Sequence, residues 1–220
     1  MPLAPKIIVA TSNEHKLKEI KEIFSGFDVV GLTKDYNAPE ETGHTFCENA
    51  LIKAKSIEHL GDVVLADDSG LEVQALLGLP GVYSARYSGG DDFQNNKKLL
   101  EELKHTANRK ARFVCCMVAI INKKTISAEG ILEGTIAFEP KGDNGFGYDP
   151  IFIPSGFTQT LAELGSEIKN KISHRKKALE QIRKKRKLKQ SANKPHLDEL
   201  VKCENCGIYF PKNKVIHYKN

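Results

Sequence analysis

Residues 63–70 read Val-Val-Leu-Ala-Asp-Asp-Ser-Gly, a run of four apolar residues followed directly by two carboxylates. The apolar run predicts a buried strand over residues 63–67. Two adjacent anions are costly where a strand meets the interior, unless a cation or bound protons compensate them. We therefore interpret Asp67 and Asp68 as a candidate magnesium site and water-activating base. The alternative is a solvated Asp-Asp-Ser-Gly turn.

The chain on both sides of this strand alternates strand and helix signals. Residues 6–10 and 28–32 predict strands, and the apolar residues between them recur at helical spacing. Thr45 and Glu48 have the spacing of a capping box and predict the start of a second helix. This alternation predicts an α/β fold, with a mixed β-sheet covered by helices.

The second half of the chain adds more strands and two capped helices. Residues 112–121, 125–130 and 131–138 predict three successive strands. A helix before them is capped by Asp91 or Asp92, and Ser173 is the expected cap of a final helix.

Composition limits the cellular setting of this chain. Its 220 residues are 40% apolar and 28% charged, and the longest apolar run, residues 113–121, is too short to span a bilayer. The N-terminal residues lack the layout of a signal peptide. Five cysteines, an odd number with two of them adjacent in a predicted strand, favour a reducing compartment. We therefore expect a cytoplasmic protein that makes no membrane contact.

Charge divides the chain near residue 184. From there to the end, ten Lys/Arg and three Asp/Glu give a net charge of +7, and the preceding residues carry a net −2. Such a break predicts a domain boundary. We expect a main domain over residues 1–183, a basic linker over 184–195 and a small tail over 196–220.

The loop at residues 11–16 is the first of four loops with unusual chemistry. Its sequence, Thr-Ser-Asn-Glu-His-Lys, joins the first predicted strand to the first helix. Hydroxyls, an amide and an ammonium at a helix N-terminus suit a phosphate, because the free backbone N–H groups and the dipole attract anions. Ordinary capping by Ser12 or Asn13 is the alternative.

The other three loops carry acidic, aromatic and basic groups. Glu40 and Glu41 can complete a magnesium site with the carboxylate pair, because magnesium prefers oxygen ligands. Residues 142–150 form a glycine-rich loop that presents Phe146, Tyr148 and Asp149, and residues 169–175 are basic at a predicted helix start. The aromatic residues of the glycine-rich loop can stack on a flat ring, and the basic segment can bind an anion. For the glycine-rich loop, the alternative is a long turn whose aromatic side chains fill the core.

Together these loops resemble one protein family, the inosine/xanthosine triphosphate pyrophosphatases. The resemblance covers about residues 6–183. It rests on six segments in the expected order, namely Thr-Ser-Asn-x-x-Lys (11–16), Glu-Glu-Thr-Gly-x-Thr-Phe-x-Glu-Asn-Ala (40–50), Ala-Asp-Asp-Ser-Gly-Leu (66–71), Leu-Pro-Gly-Val-Tyr-Ser-Ala-Arg-Tyr-Ser-Gly (79–89), Gly-Phe-Gly-Tyr-Asp-Pro-Ile-Phe (145–152) and Ile-Ser-His-Arg (172–175).

The resemblance implies a long bent mixed sheet with two lobes around a central cleft, usually in a homodimer. It implies magnesium-dependent hydrolysis of deaminated purine nucleoside triphosphates to the monophosphate and pyrophosphate, which removes them from the nucleotide pool.

The resemblance also implies a role for each matching residue. Asp68 would be the general base and a magnesium ligand, with Asp67 and Glu41 as supporting ligands and Glu40 less firmly assigned. The triphosphate would be held by Thr11, Ser12, Asn13, Lys16 and Lys169. The rest of the substrate would be contacted by Ser69, Phe146, Gly147, Tyr148, Asp149, His174 and Arg175.

The tail carries a separate motif. Cys203-Glu-Asn-Cys206-Gly resembles half of a zinc ribbon, and His217 follows it. Cys203, Cys206 and His217, with His196 as a candidate fourth ligand, predict a zinc site, and an unpaired or redox-active cysteine pair is the alternative. The basic tail also leaves a second function open, in which the chain binds nucleic acid or a protein partner.

Overall fold

The fold is built on one mixed sheet with helices on both faces, as the sequence predicts. The computed structural model describes residues 6–24, 26–32, 36–192, 200–202 and 209–211, and side chains as far as residue 185. The sheet strands are β1 (Lys6–Val9), β2 (Asp28–Gly31), β3 (Val63–Val73), β4 (Lys110–Ile121), β5 (Lys124–Ile136) and β6 (Phe152–Pro154). The helices are α1 (Glu14–Ile23), α2 (Phe46–Ser56), α3 (Asp92–Glu102), α4 (Leu161–Ile172) and α5 (His174–Ala192).

The strand order β2-β1-β3-β4-β5-β6 combines a parallel half with an antiparallel half. β1 pairs in parallel with both β2 and β3, and β3 to β6 pair antiparallel. β1 ends at Val9, whereas β3 continues to Val73. The expectation that the third strand ends at residue 67 is therefore wrong. The two carboxylates lie in the middle of β3, beside the carboxyl end of β1.

A tight hairpin joins the two longest strands. Asn122 and Lys123, between β4 and β5, have φ values of 48° and 63°. A two-residue turn with both φ values positive matches the right-handed twist of the strands that it joins. The two strands predicted over residues 125–138 are one strand, β5, because its ladder with β4 is unbroken from Lys124 to Thr135.

Strand β4 is buried on both faces, which explains its continuous apolar sequence. Cys115 and Met117 pack in a cluster with residues of α1 and α5 on one face. Cys116 and Val118 pack with residues of α2 on the other face. A third cluster, built around Phe113 and including residues of α3 and α4, fills the far end of the sheet. Side chains alternate along a strand, so each face has its own set of core residues.

Helix caps are the local features that the sequence predicts best. Thr45 and Glu48 form the expected capping box at α2, and Asp91 rather than Asp92 caps α3. Asn13 caps α1, and the Ser173 hydroxyl accepts a hydrogen bond from the N–H of Lys176 in α5. Each cap satisfies a backbone N–H group that the helix itself leaves unpaired.

Helix α4 is absent from the predicted elements although its own capping box is visible in the sequence. The Thr160 hydroxyl accepts from the N–H of Glu163, and the Glu163 side chain accepts from the N–H of Thr160. Gly165, with φ of 75°, interrupts the helix, although Leu161, Leu164 and Ile168 keep helical spacing on both sides of it. Lys169 consequently lies near the end of α4, and not at the start of the last helix.

The cysteine chemistry differs from the expected reduced state. Cys47 of α2 and Cys116 of β4 form a disulfide, whereas Cys115 is buried and free. Because disulfides are uncommon in cytosolic proteins, this pair removes the cysteine argument for a reducing compartment.

The chain divides into two compact units, residues 1–182 and 183–220. In the second unit, β7 (Leu200–Lys202) pairs antiparallel with β8 (Tyr209–Pro211). The predicted zinc ligands Cys203, Cys206 and His217 lie outside the described residues, and so does His196. In the described part of the chain, every helix is too short or too polar to cross a bilayer.

Gly130 of β5 provides a test of how closely α5 packs on the sheet. A Cβ atom at this position would lie 2.0 Å from the carbonyl oxygen of His174 and 2.4 Å from the nitrogen of Ala178. We expect Gly130→Ala to lower the free energy of unfolding by about 3 kcal/mol, because backbone atoms must move apart. Urea denaturation measures the change. Thr125→Ala, at an exposed position of the same strand, should change it by less than about 0.5 kcal/mol.

Candidate active site

A cavity of about 350 Å³ opens beside the carboxyl end of β1. Ligands commonly bind at this edge of an open α/β sheet, because the loops that follow the parallel strands converge there. The cavity brings together most of the residues selected from the sequence, namely Thr11, Ser12, Asn13, Lys16, Glu41, Asp68, Ser69, Phe146, Gly147, Tyr148, Asp149, Lys169, His174 and Arg175.

The two adjacent carboxylates point to opposite faces of the sheet. Asp67 is opposite Met117 and Asp68 is opposite Cys116 in the β3–β4 ladder. Directly paired residues share a face, and successive residues alternate. Asp68 therefore faces α2, and Asp67 faces α1 and α5. This separation lets two charges follow one another in sequence and have different partners.

On the α2 face, one lysine connects two carboxylates. The Lys53 ammonium lies 3.0 Å from Oδ1 of Asp68 and 2.7 Å from Oε1 of Glu41. The Asn49 amide donates to Oδ2 of Asp68 at 3.3 Å. Asn49 and Lys53 are four residues apart, so they lie on the same side of α2. Sequence reasoning missed both, although this spacing near a carboxylate motif is a usable signal.

The environment shifts the pKa values of these groups in different directions. Burial raises the pKa of Asp68, although the Lys53 charge opposes that rise. Burial also acts upward on Glu41, but the hydrogen bond and charge of Lys53 hold its pKa below the ordinary value. Asp68 is consequently the more basic of the two carboxylates.

On the opposite face, Asp67 belongs to a buried network of charges. Its Oδ2 lies 3.1 Å from Nη2 of Arg175 and 3.2 Å from the Lys16 ammonium. Despite the opposing effect of burial, these two cations hold the pKa of Asp67 well below its usual range. Arg175 also lies 2.5 Å from Oε2 of Glu19, a buried residue of α1 that sequence reasoning missed. Within the described residues, Oδ1 of Asp67 has no hydrogen-bond partner.

The half-buried aromatic side chain of Phe146 lines the cavity away from the two aspartates. Its N–H donates to Oδ2 of Asp149 at 2.9 Å, and the Lys169 ammonium lies 2.5 Å from the same oxygen. The ammonium is also 4.3 Å from the centroid of the Phe146 ring. The ring of His15, which sequence reasoning did not select, stacks on Phe146 with a centroid separation of 5.3 Å.

Lys169 contacts an acidic and an aromatic side chain, and its expected contact with the triphosphate stays a prediction. Its charge is neutralised by Asp149 and stabilised by the face of Phe146. Burial raises the pKa of Asp149, although Lys169 opposes that rise. The structure therefore places Lys169 with the aromatic group, and leaves Lys16 and Lys53 beside the carboxylates.

His174 is a buried neutral histidine at the junction of α4 and α5. Its ring stacks on Phe113 with a centroid separation of 4.9 Å, and its Nδ1 has no hydrogen-bond partner among the described residues. Burial lowers the pKa of His174 well below 6.5, and the charges of Arg175 and Lys169 lower it further. A neutral imidazole next to the cavity can offer one donor and one acceptor to a ligand.

Comparison with known proteins assigns the chain to a family. The Ham1 family model matches residues 7–185. The protein belongs to the Ham1 family.

Relatives of known name are similar over nearly their whole length. The dITP/XTP pyrophosphatase of Bacillus subtilis is 48% identical over 197 residues, which cover 84% of this chain and 98% of that protein. The dITP/XTP pyrophosphatase of Clostridium tetani is 46% identical and covers 82% of this chain and 96% of that protein. The structure of the Staphylococcus aureus Ham1 protein is 41% identical, with a TM-score of 0.74 over 84% of this chain and 99% of that one.

The lowered pKa of His174 predicts a loss of stability in mild acid. Near pH 6.5 the unfolded chain binds a proton on this histidine, whereas the folded chain does not. The contribution of His174 to the free energy of unfolding is therefore fully present above that pH and is lost as the pH falls below it. Between pH 6 and pH 5 we expect this residue to remove about 1 kcal/mol of the free energy of unfolding. Urea denaturation across this range measures the slope.

The matched variant is His174→Asn, whose side chain does not titrate. This variant should show a shallower dependence of stability on pH, even if it is less stable at pH 7.5. A slope identical to that of the wild type would show that His174 does not carry the effect.

Proposed function

We propose that this protein hydrolyses deaminated purine nucleoside triphosphates (ITP, dITP and XTP) to the monophosphate and pyrophosphate, with magnesium as cofactor. The supporting observation is one cavity that holds basic residues and carboxylates beside a helix N-terminus, and a stacking aromatic group elsewhere on its wall. Similarity to relatives named dITP/XTP pyrophosphatases supports the same reaction. The cavity volume of about 350 Å³ lies within the range of small-molecule sites.

The carboxylates of the site offer the oxygen ligands that magnesium prefers. Glu41 and Asp68 line the cavity and are the proposed ligands, and Asp67, which faces the other side of β3, is assigned a supporting role. Oδ1 of Asp67 is buried without a hydrogen-bond partner in the described chain, which favours a cation in its vicinity. When bound, the ion neutralises charge on the triphosphate and on the pyrophosphate that leaves.

The N-terminus of α1 is the proposed triphosphate site. Thr11 and Ser12 lie between β1 and this helix, and the N-cap residue Asn13 leaves further N–H groups directed out of its first turn. Lys16, whose ammonium contacts Asp67, can bind a phosphate oxygen from the same position. We assign the triphosphate to this loop together with Lys53.

Asp68 is the proposed general base. It lines the cavity, whereas the Asp67 side chain is buried on the other face among Lys16 and Arg175. Asn49 and Lys53 orient the Asp68 carboxylate. In the reaction, Asp68 takes a proton from the water that attacks the phosphorus atom, while the lysines stabilise the charge of the departing pyrophosphate.

The purine base is proposed to stack on Phe146. Lys169 can donate a hydrogen bond to the 6-oxo group of inosine or xanthosine, whereas the 6-amino group of adenine is itself a donor and cannot accept that bond. Asp149, His174 and Arg175 provide the other polar contacts, with Ser69, Gly147 and Tyr148 in the surrounding wall. A site that leaves buried polar groups unpaired rejects the wrong base strongly.

We also propose that two chains form a homodimer in the cytoplasm. Leu77, which is 98% exposed, and the neighbouring Leu79 and Tyr83 form an apolar surface that a second chain can cover. The cytoplasm is where the proposed substrates arise in the nucleotide pool.

The alternative function, binding of nucleic acid or a partner by the basic tail, receives no support from the similar proteins.

The function is tested by pyrophosphate release from dITP in the presence of magnesium. We expect Asp68→Asn to lower kcat by about two to three orders of magnitude, because the amide cannot accept the proton of water. Asp62→Asn, at an exposed position just before β3, is the matched control and should retain the wild-type rate. Wild-type activity in Asp68→Asn would contradict the assigned base, and no pyrophosphate release from wild-type protein would contradict the function.

The zinc site of the tail stays a prediction with its own test. Metal analysis of the purified chain should find about one zinc ion per chain if Cys203, Cys206 and His217 bind zinc. Cys203→Ser should lose that zinc, and Cys115→Ser, which removes the buried free thiol, should keep it. Equal zinc contents in wild type and Cys203→Ser would show that the tail cysteines do not bind it.

A further inference from the structure

We propose that Asp92 and Asn96 of α3 are positioning residues that hold the Phe146 loop in the orientation needed for stacking on the purine base. This inference rests on the proposed function, since it concerns how the same site recognises its base. Neither residue belongs to the set that the motifs select.

The proposal rests on two hydrogen bonds to a single residue, Gly147. Oδ2 of Asp92 accepts from the N–H of Gly147 at 2.6 Å. Nδ2 of Asn96 donates to the carbonyl oxygen of Gly147 at 3.0 Å. Both backbone polar groups of the residue that follows Phe146 are therefore bound by side chains one helical turn apart on α3.

The loop needs such restraint because glycines flank Phe146 on both sides. Gly145 and Gly147 have φ values of 85° and 62°, a region that other residues rarely adopt. Glycine also has more alternative conformations than any other residue, so the backbone on either side of Phe146 can change conformation unless its polar groups are held. The bond from the Phe146 N–H to Asp149 restrains one side of the ring, and the α3 side chains restrain the other.

Helix α3 is a firm support for this contact. Leu99 and Leu103, at the end of the helix, are fully buried in the far-end cluster around Phe113. Asn96 is 6% exposed, and its amide nitrogen is directed to the Gly147 carbonyl. Asn96 does not line the 350 Å³ cavity, so it acts on substrate through the loop.

A separate bond keeps the loop attached when the α3 contacts are removed. The buried Tyr148 donates its hydroxyl proton to the carbonyl oxygen of Ser84 at 2.9 Å. Variants at Asp92 or Asn96 should therefore fold, with the loop in place but the Phe146 ring less ordered. The expected defect is weaker binding of the base, with the chemistry at Asp68 unchanged.

The kinetic test compares two variants with two matched controls. Asp92→Ala removes the acceptor, and Asn96→Asp places a carboxylate oxygen against the Gly147 carbonyl. Each should raise KM for dITP about tenfold and leave kcat within about twofold. Asp92→Asn keeps an acceptor oxygen and should restore KM to within about threefold of wild type.

The second control separates helix stability from loop orientation. Asp91→Ala removes the N-cap bond to Gln94 and should destabilise α3 by the usual amount for a lost cap. It does not touch Gly147 and should leave KM unchanged. A raised KM in Asp91→Ala equal to that in Asp92→Ala would overturn the proposal, because a general loosening of α3 would then be sufficient.

A spectroscopic readout is independent of catalysis. The chain contains no tryptophan, so Phe146→Trp introduces a single indole at the position in question. The fluorescence anisotropy of this indole should fall when Asp92→Ala is added and should not fall when Asp91→Ala is added. Unchanged anisotropy in the Asp92→Ala background would overturn the proposal.

Failure of this proposal is distinguishable from failure of the proposed function. If wild type releases pyrophosphate from dITP and Asp92→Ala has the same KM, only the positioning role is wrong. If wild type does not act on dITP, the function is wrong, and the anisotropy still decides whether α3 orders the loop. An equal loss of kcat with unchanged KM would also overturn the positioning role.

Discussion

The site depends on one constraint of the sheet: β1 ends at Val9 while β3, its parallel neighbour, continues to Val73. Beyond Leu65, β3 keeps its ladder with β4 and has an open side where β1 has ended. Asp67 and Asp68 occupy this stretch, where alternation sends them to opposite faces. The same strand end places the α1 N-terminus beside them. The unequal lengths of β1 and β3 thus bring the carboxylate pair next to the loop that is proposed to bind the triphosphate.

Buried charges in the site are tolerated because each is paired. Asp67 faces two cations, and Arg175 contacts both Asp67 and Glu19. Taking such groups from water costs several kcal/mol per ion, roughly, and their mutual attraction offsets that cost only with close geometry. Asp68 has less compensation than Asp67, because it shares the single ammonium of Lys53 with Glu41. Burial therefore raises the pKa of Asp68. This difference is the physical basis for proposing different roles for the two neighbouring aspartates.

In this chain, local sequence predicts helix caps well but predicts poorly how far a strand or helix extends. The capping box at Thr45 and the caps at Asn13 and Ser173 are confirmed, because a cap needs only a few neighbouring residues. The predicted end of the third strand at residue 67 is wrong, because charged residues normally leave a strand for solvent and here find partners inside. Helix α4 is missed although its apolar residues keep helical spacing, because Gly165 lies in its middle and glycine disfavours a helix.

The sequence by itself determined the α/β class, the loops that carry chemistry and the resemblance that leads to a family. Only the tertiary structure decided which charges meet. It places Lys53 between Glu41 and Asp68, Lys169 against Phe146 and Asp149, and Asn96 on Gly147. The physical reason is that motifs record residue type and spacing along the chain, whereas an ion pair depends on which side chains the sheet and helices bring within a few ångströms.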